Sequence, residues 1–140
     1  MDESVEIVFL LSRVRKALRH RFEARAAPLG ITVPQYQVLR CLWQQDGLLT
    51  CALMRDSGLD AGTITGVLDR LEAKGFVRRE RSEEDRRAVA IYLTPAGREL
   101  DAPLAKVIRD VSDEAVAGFG AVKRSDLLDL LGRMGENLGV

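Results

Sequence analysis

The stretch "GTITGVLDRLEAKGFVRRERSEEDRRAVAIYLTPAG", residues 62–97, carries two different periodicities with a charged seam between them. In its first part Ile64, Leu68 and Leu71 recur at steps of four and three, the spacing of one face of a helix. Asp60 stands where a cap belongs, and Gly75 where a helix ends. The opposite side of that helix offers Thr63, Gly66, Asp69, Arg70 and Ala73, a thin face of small and polar groups. In the second part Val77, Arg79 and Arg81 alternate with Phe76, Arg78 and Glu80, and Val89, Ile91 and Leu93 with Ala88, Ala90 and Tyr92. A period of two predicts two strands, and the polar "SEEDRR" between them predicts a hairpin whose charged tip stands in solvent.

On the N-terminal side, "TVPQ" at 32–35 reads as a helix start, with Thr32 as cap, Pro34 in the first turn and Gln35 completing a capping box. Tyr36, Leu39 and Trp43 form its inner stripe up to a turn at Asp46-Gly47. Thr50 is expected to cap a short helix through Asp56, closed by Gly58. Two short helices joined by a tight turn, the second with a thin outer face and a hairpin after it, predict a helix-turn-helix with a wing.

Further out, Val8, Leu11, Val14, Leu18 and Phe22 predict a helix over residues 4–27, about 36 Å long at 1.5 Å per residue. A helix of that length on a small protein often packs against a second chain. Thr94-Pro95 restarts helix, with Leu100, Leu104, Val107, Val111 and Ala115 as its stripe up to the break "GFG" at 118–120. Ser125 is expected to cap a last helix with Leu127, Leu131, Met134 and Leu138 on one side. The expected fold class is mostly α with a small β-hairpin wing.

The 140 residues amount to one typical domain, and no apolar run approaches the roughly 20 residues that cross a bilayer. The opening "MDESVEIVFLLSRVRK" puts acids before a short apolar patch, the reverse of a secretory signal, which predicts a cytoplasmic location. Cys41 and Cys51 lack a CxxC spacing and read as buried thiols; with a single histidine they offer no evident metal set. Neither a nucleophile nor an acid–base pair is evident, so no enzyme and no cofactor is expected. Net charge is zero, but residues 11–25 carry six Lys or Arg against one Glu, and residues 99–140 five against eight acids.

A major groove about 12 Å wide accepts a helix whose outward side chains permit close approach. Gly62, Thr63, Thr65 and Gly66 meet that condition, since threonine can bond a base edge or pack its methyl on thymine. Arg86 and Arg87 at the hairpin tip are placed to reach an adjacent minor groove. Glu83, Glu84 and Asp85 repel phosphate, so some of them are expected to pair with arginine, Asp85 holding Arg87 or Arg81 extended. Read singly, the tip is equally a solvated surface and the Thr/Gly helix start a tight packing site. In this order after a capped helix pair they point to DNA.

The stretch from "LTCALMRDSGLD" through "GTITGVLDRLEAKGFVRR", the wing "DRR" and the closing "LTPAG" resembles the multiple antibiotic resistance regulator (MarR) family of bacterial transcription factors. The resemblance covers about residues 32–98 and is architectural in the flanking helices. It implies a homodimer, with residues 1–31 and 99–140 as dimerisation helices and 32–98 as the winged helix-turn-helix lobe. Two such lobes read a pseudo-palindrome with half-sites one helical turn apart. It implies a recognition helix at Ala61 to Lys74, with Gly62, Thr63, Thr65, Gly66 and Arg70 nearest the DNA, a wing arginine at Arg87 with Asp85 as its structural partner, and a phosphate contact at Arg86.

Cys51 and Met54 stand where many relatives are more polar, and Gly66 where a larger residue often reaches the bases. The resemblance also implies an effector, a small anionic or aromatic compound held between the two regions. Arg13, His20, Tyr36 and Trp43 are candidates for its cleft, beside the plainer reading of the first two as surface and the last two as core. Arg15 and Arg19 share the reading of Arg13. Peroxide sensing by a cysteine in the first helix does not transfer, because that helix has none. The competing function is a winged-helix protein-interaction module that regulates another factor without binding DNA; Arg70, Arg86 and Arg87 discriminate the two.

Overall fold

The computed structural model describes residues 2–140. The first helix, α1 (Glu3–Ala26), starts at an Asp2 cap and passes into a single 3-10 turn at Ala27–Leu29, where Pro28 and the left-handed Gly30 (φ 72°) end it. The second, α2 (Val33–Gln44), has the expected capping box. Thr32 Oγ1 accepts from the Gln35 amide at 3.4 Å, and Gln35 Oε1 from the Thr32 amide at 3.2 Å.

After α2 the chain forms a short strand, β1 (Leu48–Leu49), then α3 (Thr50–Ser57) and α4 (Ala61–Ala73). The hairpin strands are β2 (Val77–Arg81) and β3 (Val89–Leu93), followed by α5 (Pro95–Glu99), α6 (Asp101–Ala115) and α7 (Ala121–Leu138). The sheet is antiparallel in the order β1-β3-β2, with Val77 opposite Leu93 and Arg79 opposite Ile91.

Four expectations about these elements are corrected. Leu48-Leu49, between the expected turn and the expected Thr50 cap, pair with Ile91 and Ala90 as a third strand where only a two-stranded hairpin was expected. The chain therefore enters α3 directly from a strand, and Thr50 does not cap it; its hydroxyl donates to the Val89 carbonyl at 3.4 Å instead. The single helix expected after Thr94 is split at Leu100, because Pro103 has no N–H to offer the Glu99 carbonyl one turn back. The last helix begins at Ala121 behind Gly120, so Ser125 lies within it rather than capping it.

One core holds the middle of the chain together. Ile64, Val67, Leu68 and Leu71 of α4 meet Val38, Leu39 and Leu42 of α2, Leu53 of α3, and Val77, Ile91 and Leu93 of the sheet. Leu100 and Leu104 join it from the C-terminal side, and Phe22 and Ala26 from α1. Gly97 marks the tightest joint. A Cβ there would lie 2.1 Å from the Phe76 carbonyl oxygen, and the Gly97 carbonyl accepts from Trp43 Nε1 at 3.0 Å.

The terminal helices differ. Of α1 only Phe22 and Ala26 are buried, and of α7 nothing is. Val8, Leu11, Val14 and Leu18, the apolar face expected on a helix that packs against a second chain, are exposed, as are Leu131 and Leu138 of α7. On α6, Ala115 is exposed where burial was expected. Cys41 is buried as expected, its thiol pushed up by burial, whereas Cys51, expected to be buried, is exposed.

Candidate nucleic-acid interface

The α3–α4 pair is joined by Gly58 in the left-handed conformation (φ 74°), Leu59 and Asp60. Asp60 caps α4 by accepting from the Thr63 amide at 2.8 Å. That amide, and then the Thr63 hydroxyl, hold the Asp60 carboxyl below the usual range. The inner stripe of α4 is buried, which turns Gly62, Thr63, Thr65, Asp69 and Arg70 to the outside with Gly66 half-buried among them.

Two of these residues are glycines, each costing a helix about 1 kcal/mol relative to alanine. Nothing among the described residues demands them. A Cβ at Gly62 would come no closer than 3.6 Å to Asp60 Oδ1, and one at Gly66 no closer than 3.9 Å to Arg70 Nη1. The low profile of this face therefore does not answer to internal packing. Thr65 donates its hydroxyl to the Ala61 carbonyl at 3.1 Å, which fixes the rotamer and leaves an oxygen lone pair and the methyl free.

The wing tip is closed by short backbone bonds, Ser82 N–H to Ala88 O at 2.9 Å and Ala88 N–H to Asp85 O at 2.9 Å. Asp85 Oδ1 accepts from the Arg87 amide at 3.0 Å. Asp85 thus supports the wing through its backbone and not by gripping the guanidinium of Arg87 or Arg81, because a short Asx turn brings the amide within reach first. Glu83 and Glu84 also form no ion pair among the described residues, against expectation. Arg86 and Arg87 are exposed at the same tip.

Wing and helix are tied by a residue that sequence reasoning passed over. Arg79 Nη1 on β2 reaches Asp69 Oδ1 at 2.7 Å and Glu72 Oε1 at 3.4 Å on α4. The signal was present: Arg79 shares the side of β2 that Val77 buries, and an arginine there needs a partner. On the other side of the strand Arg78 lies over the Tyr92 ring, 4.7 Å from its centroid, and pairs with Glu80.

Of the four residues suggested for an effector cleft, Tyr36 and Trp43 lie side by side. Arg13 and His20 are exposed on α1. Tyr36 packs at 5.0 Å from the Phe22 ring and 6.1 Å from that of Trp43, both tyrosine and tryptophan set against the core, and burial raises the Tyr36 pKa. A separate groove of about 260 Å³ lies between α1 and α6, lined by Val14, Leu18, Arg21, Val111 and Glu114 among others. Arg21 Nε donates to Glu114 Oε1 at 3.0 Å and Arg25 pairs with the other oxygen, which holds the Glu114 carboxyl below its ordinary range.

A family model for MarR matches residues 31–89, the helix-turn-helix and most of the wing. The chain is 35% identical over 133 residues to the HTH-type transcriptional regulator TtmR of Methylorubrum extorquens, covering 95% of this chain and 67% of that protein. Its fold matches a MarR transcriptional regulator from Methanosarcina mazei with a TM-score of 0.87, at 26% identity and 94% coverage of both chains. It also matches Bordetella bronchiseptica BpsR, whose DNA binding is regulated by 6-hydroxynicotinic acid, with a TM-score of 0.84 at 25% identity over 93% of this chain and 98% of that one. With the helix pair, the wing and the full-length match in hand, the chain belongs to the MarR family of winged helix-turn-helix transcriptional regulators.

Proposed function

We propose that the protein is a homodimeric, ligand-responsive repressor of the cytoplasm that binds a pseudo-palindromic operator and carries out no catalysis. The observation that carries this reading is the outer face of α4, two glycines and two threonines at a capped helix start beside Arg70, with nothing inside the chain to account for the glycines. In this reading Gly62, Thr63, Thr65, Gly66 and Arg70 lie in the major groove, Arg87 enters the minor groove, and Arg86 meets phosphate. Residues 32–98 form the DNA-binding lobe, and residues 1–31 and 99–140 join two protomers through the apolar faces left open on α1 and α7.

The effector is a small anionic or aromatic compound, the class that 6-hydroxynicotinic acid represents for BpsR. It acts by binding more tightly to the arrangement of lobes that does not fit adjacent grooves, since a ligand shifts an equilibrium only through differential affinity. Arg13 on the basic part of α1 remains the candidate for its anionic group. A purely protein-binding role is not favoured, because the family and its curated relatives are transcriptional regulators.

The test is binding to the DNA next to the protein's own gene, titrated across salt beside a scrambled duplex. Sequence-selective binding is expected, with log Kd rising linearly in log salt. Alanine at Arg70 or Arg87 is expected to weaken it about tenfold or more, and alanine at Arg86 to lower the salt slope by about one. If no duplex, including any drawn from a random library, outcompetes the scramble, the DNA reading fails.

A further inference from the structure

Arg79 is placed to act on DNA binding without touching DNA. It reaches from β2 to two carboxylates, Asp69 and Glu72, that stand one turn apart on the exposed side of α4. Asp69 directly precedes Arg70, and Glu72 follows it by two residues. Left alone, these acids put two negative charges beside a surface that must approach phosphates, and they compete for the Arg70 guanidinium. With Arg79 between them, Arg70 forms no ion pair among the described residues and lies alongside Gly66, on the face read here as the groove-entering one. The Arg79 side chain is only 29% exposed, so much of it is spent on this bridge and little is presented to solvent.

We infer that Arg79 is a positioning residue that masks the Asp69 and Glu72 carboxylates, so that the recognition helix presents Arg70 as a free cation to the DNA. The inference rests on the DNA-binding reading given above. It accounts for how a helix with two acids on its outer side serves as a DNA-facing element, and it assigns the wing strand a second task beside carrying its tip. Charge masking differs from mechanical tethering and from direct phosphate contact in what happens when the acids are removed.

The experiment compares four proteins on one duplex selected from a random library by the wild type: wild type, Arg79→Gln, Asp69→Asn/Glu72→Gln, and the triple variant. Thermal unfolding is recorded for each. Masking predicts that Arg79→Gln weakens binding about five- to twentyfold at low salt, the scale of one or two uncovered charges. It predicts that the acid-free variant binds at least as well as wild type, and that the triple variant recovers to within about twofold of it. A control, Glu99→Gln/Asp101→Asn in the Arg79→Gln background, adds the same charge at the α5–α6 junction and is expected not to restore binding.

If the acid-free variant is as weak as Arg79→Gln, the bridge is a tether and the inference falls. It falls equally if the triple variant stays weak, which marks Arg79 as a phosphate contact, if the control rescues as well, or if Arg79→Gln binds like wild type. Should Arg79→Gln not fold, Arg79→Met takes its place, and the acid-free variant alone still separates masking from tethering. If wild type selects no duplex at all, the DNA reading has failed first. Selection by wild type without the pattern above overturns only the role of Arg79.

Discussion

The apolar residues of the helix α4 and those of the helix α7 meet opposite fates. In α4 Ile64, Val67, Leu68 and Leu71 are all sealed in the core of their own chain. In α7 Val122, Leu128, Leu130, Leu131 and Leu138 all stay open, Leu128 at 73% exposure, and α1 repeats the pattern with Val8 at 64%. The winged lobe is complete within one chain, whereas the terminal helices have faces that one chain does not fill. Exposed apolar faces of this kind are what the proposed dimer interface would cover. With the terminal helices as the proposed dimer interface, the lobe's stability is expected to be local and theirs to depend on protein concentration.

The sharpest way to break the lobe is at Gly97. Alanine there drives a Cβ into the Phe76 carbonyl, and backbone cannot yield as a flexible side chain would. A loss of about 3 kcal/mol or more is expected, read from urea unfolding as a lowered midpoint with little change in slope. The terminal helices should break differently. Aspartate at both Val8 and Leu128 is expected to leave helical content in the lobe but convert a dimer to monomers by sedimentation. Affinity for a two-half-site duplex should then drop about a hundredfold or more, because the second lobe is no longer tethered. A variant that stays dimeric would locate the interface elsewhere.

Two smaller effects sharpen the contrast. Thr32→Ala removes half of the capping box on α2 and is expected to cost about 1 kcal/mol, independent of protein concentration. Glu114 links α1 to α6, and Arg21 and Arg25 lower its pKa in the folded protein. A depressed carboxylate stabilises above its unfolded pKa, and that contribution is lost as pH falls through the lowered folded value. The difference in thermal midpoint between wild type and Glu114→Gln should therefore be present at pH 7 and close below about pH 4. Because the group is exposed, this effect is expected to be the smallest of the four.

What the sequence made legible follows the same division. The α2 capping box, the Asp60 cap, the Gly58 and Gly75 turns and the hairpin were readable, because each depends on residues within a few positions of one another. The two-residue strand β1 was not, since Leu48-Leu49 become a strand only by pairing with Ile91 and Ala90 some forty positions away. Thr50 misled for the same reason, its hydroxyl being taken by Val89. Pro103 was visible, but its effect on the Glu99 carbonyl was overlooked in favour of the apolar stripe that runs through both helices. The outer face of α4 could be inferred from periodicity, whereas the reach of Arg79 across to Asp69 needed the angle between strand and helix.

At its far end α4 is held by Lys74, whose ammonium donates to the Gly30 carbonyl and to Gln35 Oε1, at the joint where α1 gives way to α2. The thirteen residues of α4 span about 20 Å, and Thr63 near its leading end lies about 16 Å along the axis from that anchorage. Because Ile64, Val67, Leu68 and Leu71 seal α4 into the core of the lobe, a rotation of the lobe about that joint would carry the helix with it. A tilt of about 10° there carries Thr63 through about 3 Å, close to the rise of one base pair along a strand. On the proposed reading, a small change of angle between the long helix and the lobe would displace the leading end of α4 by about one base-pair step.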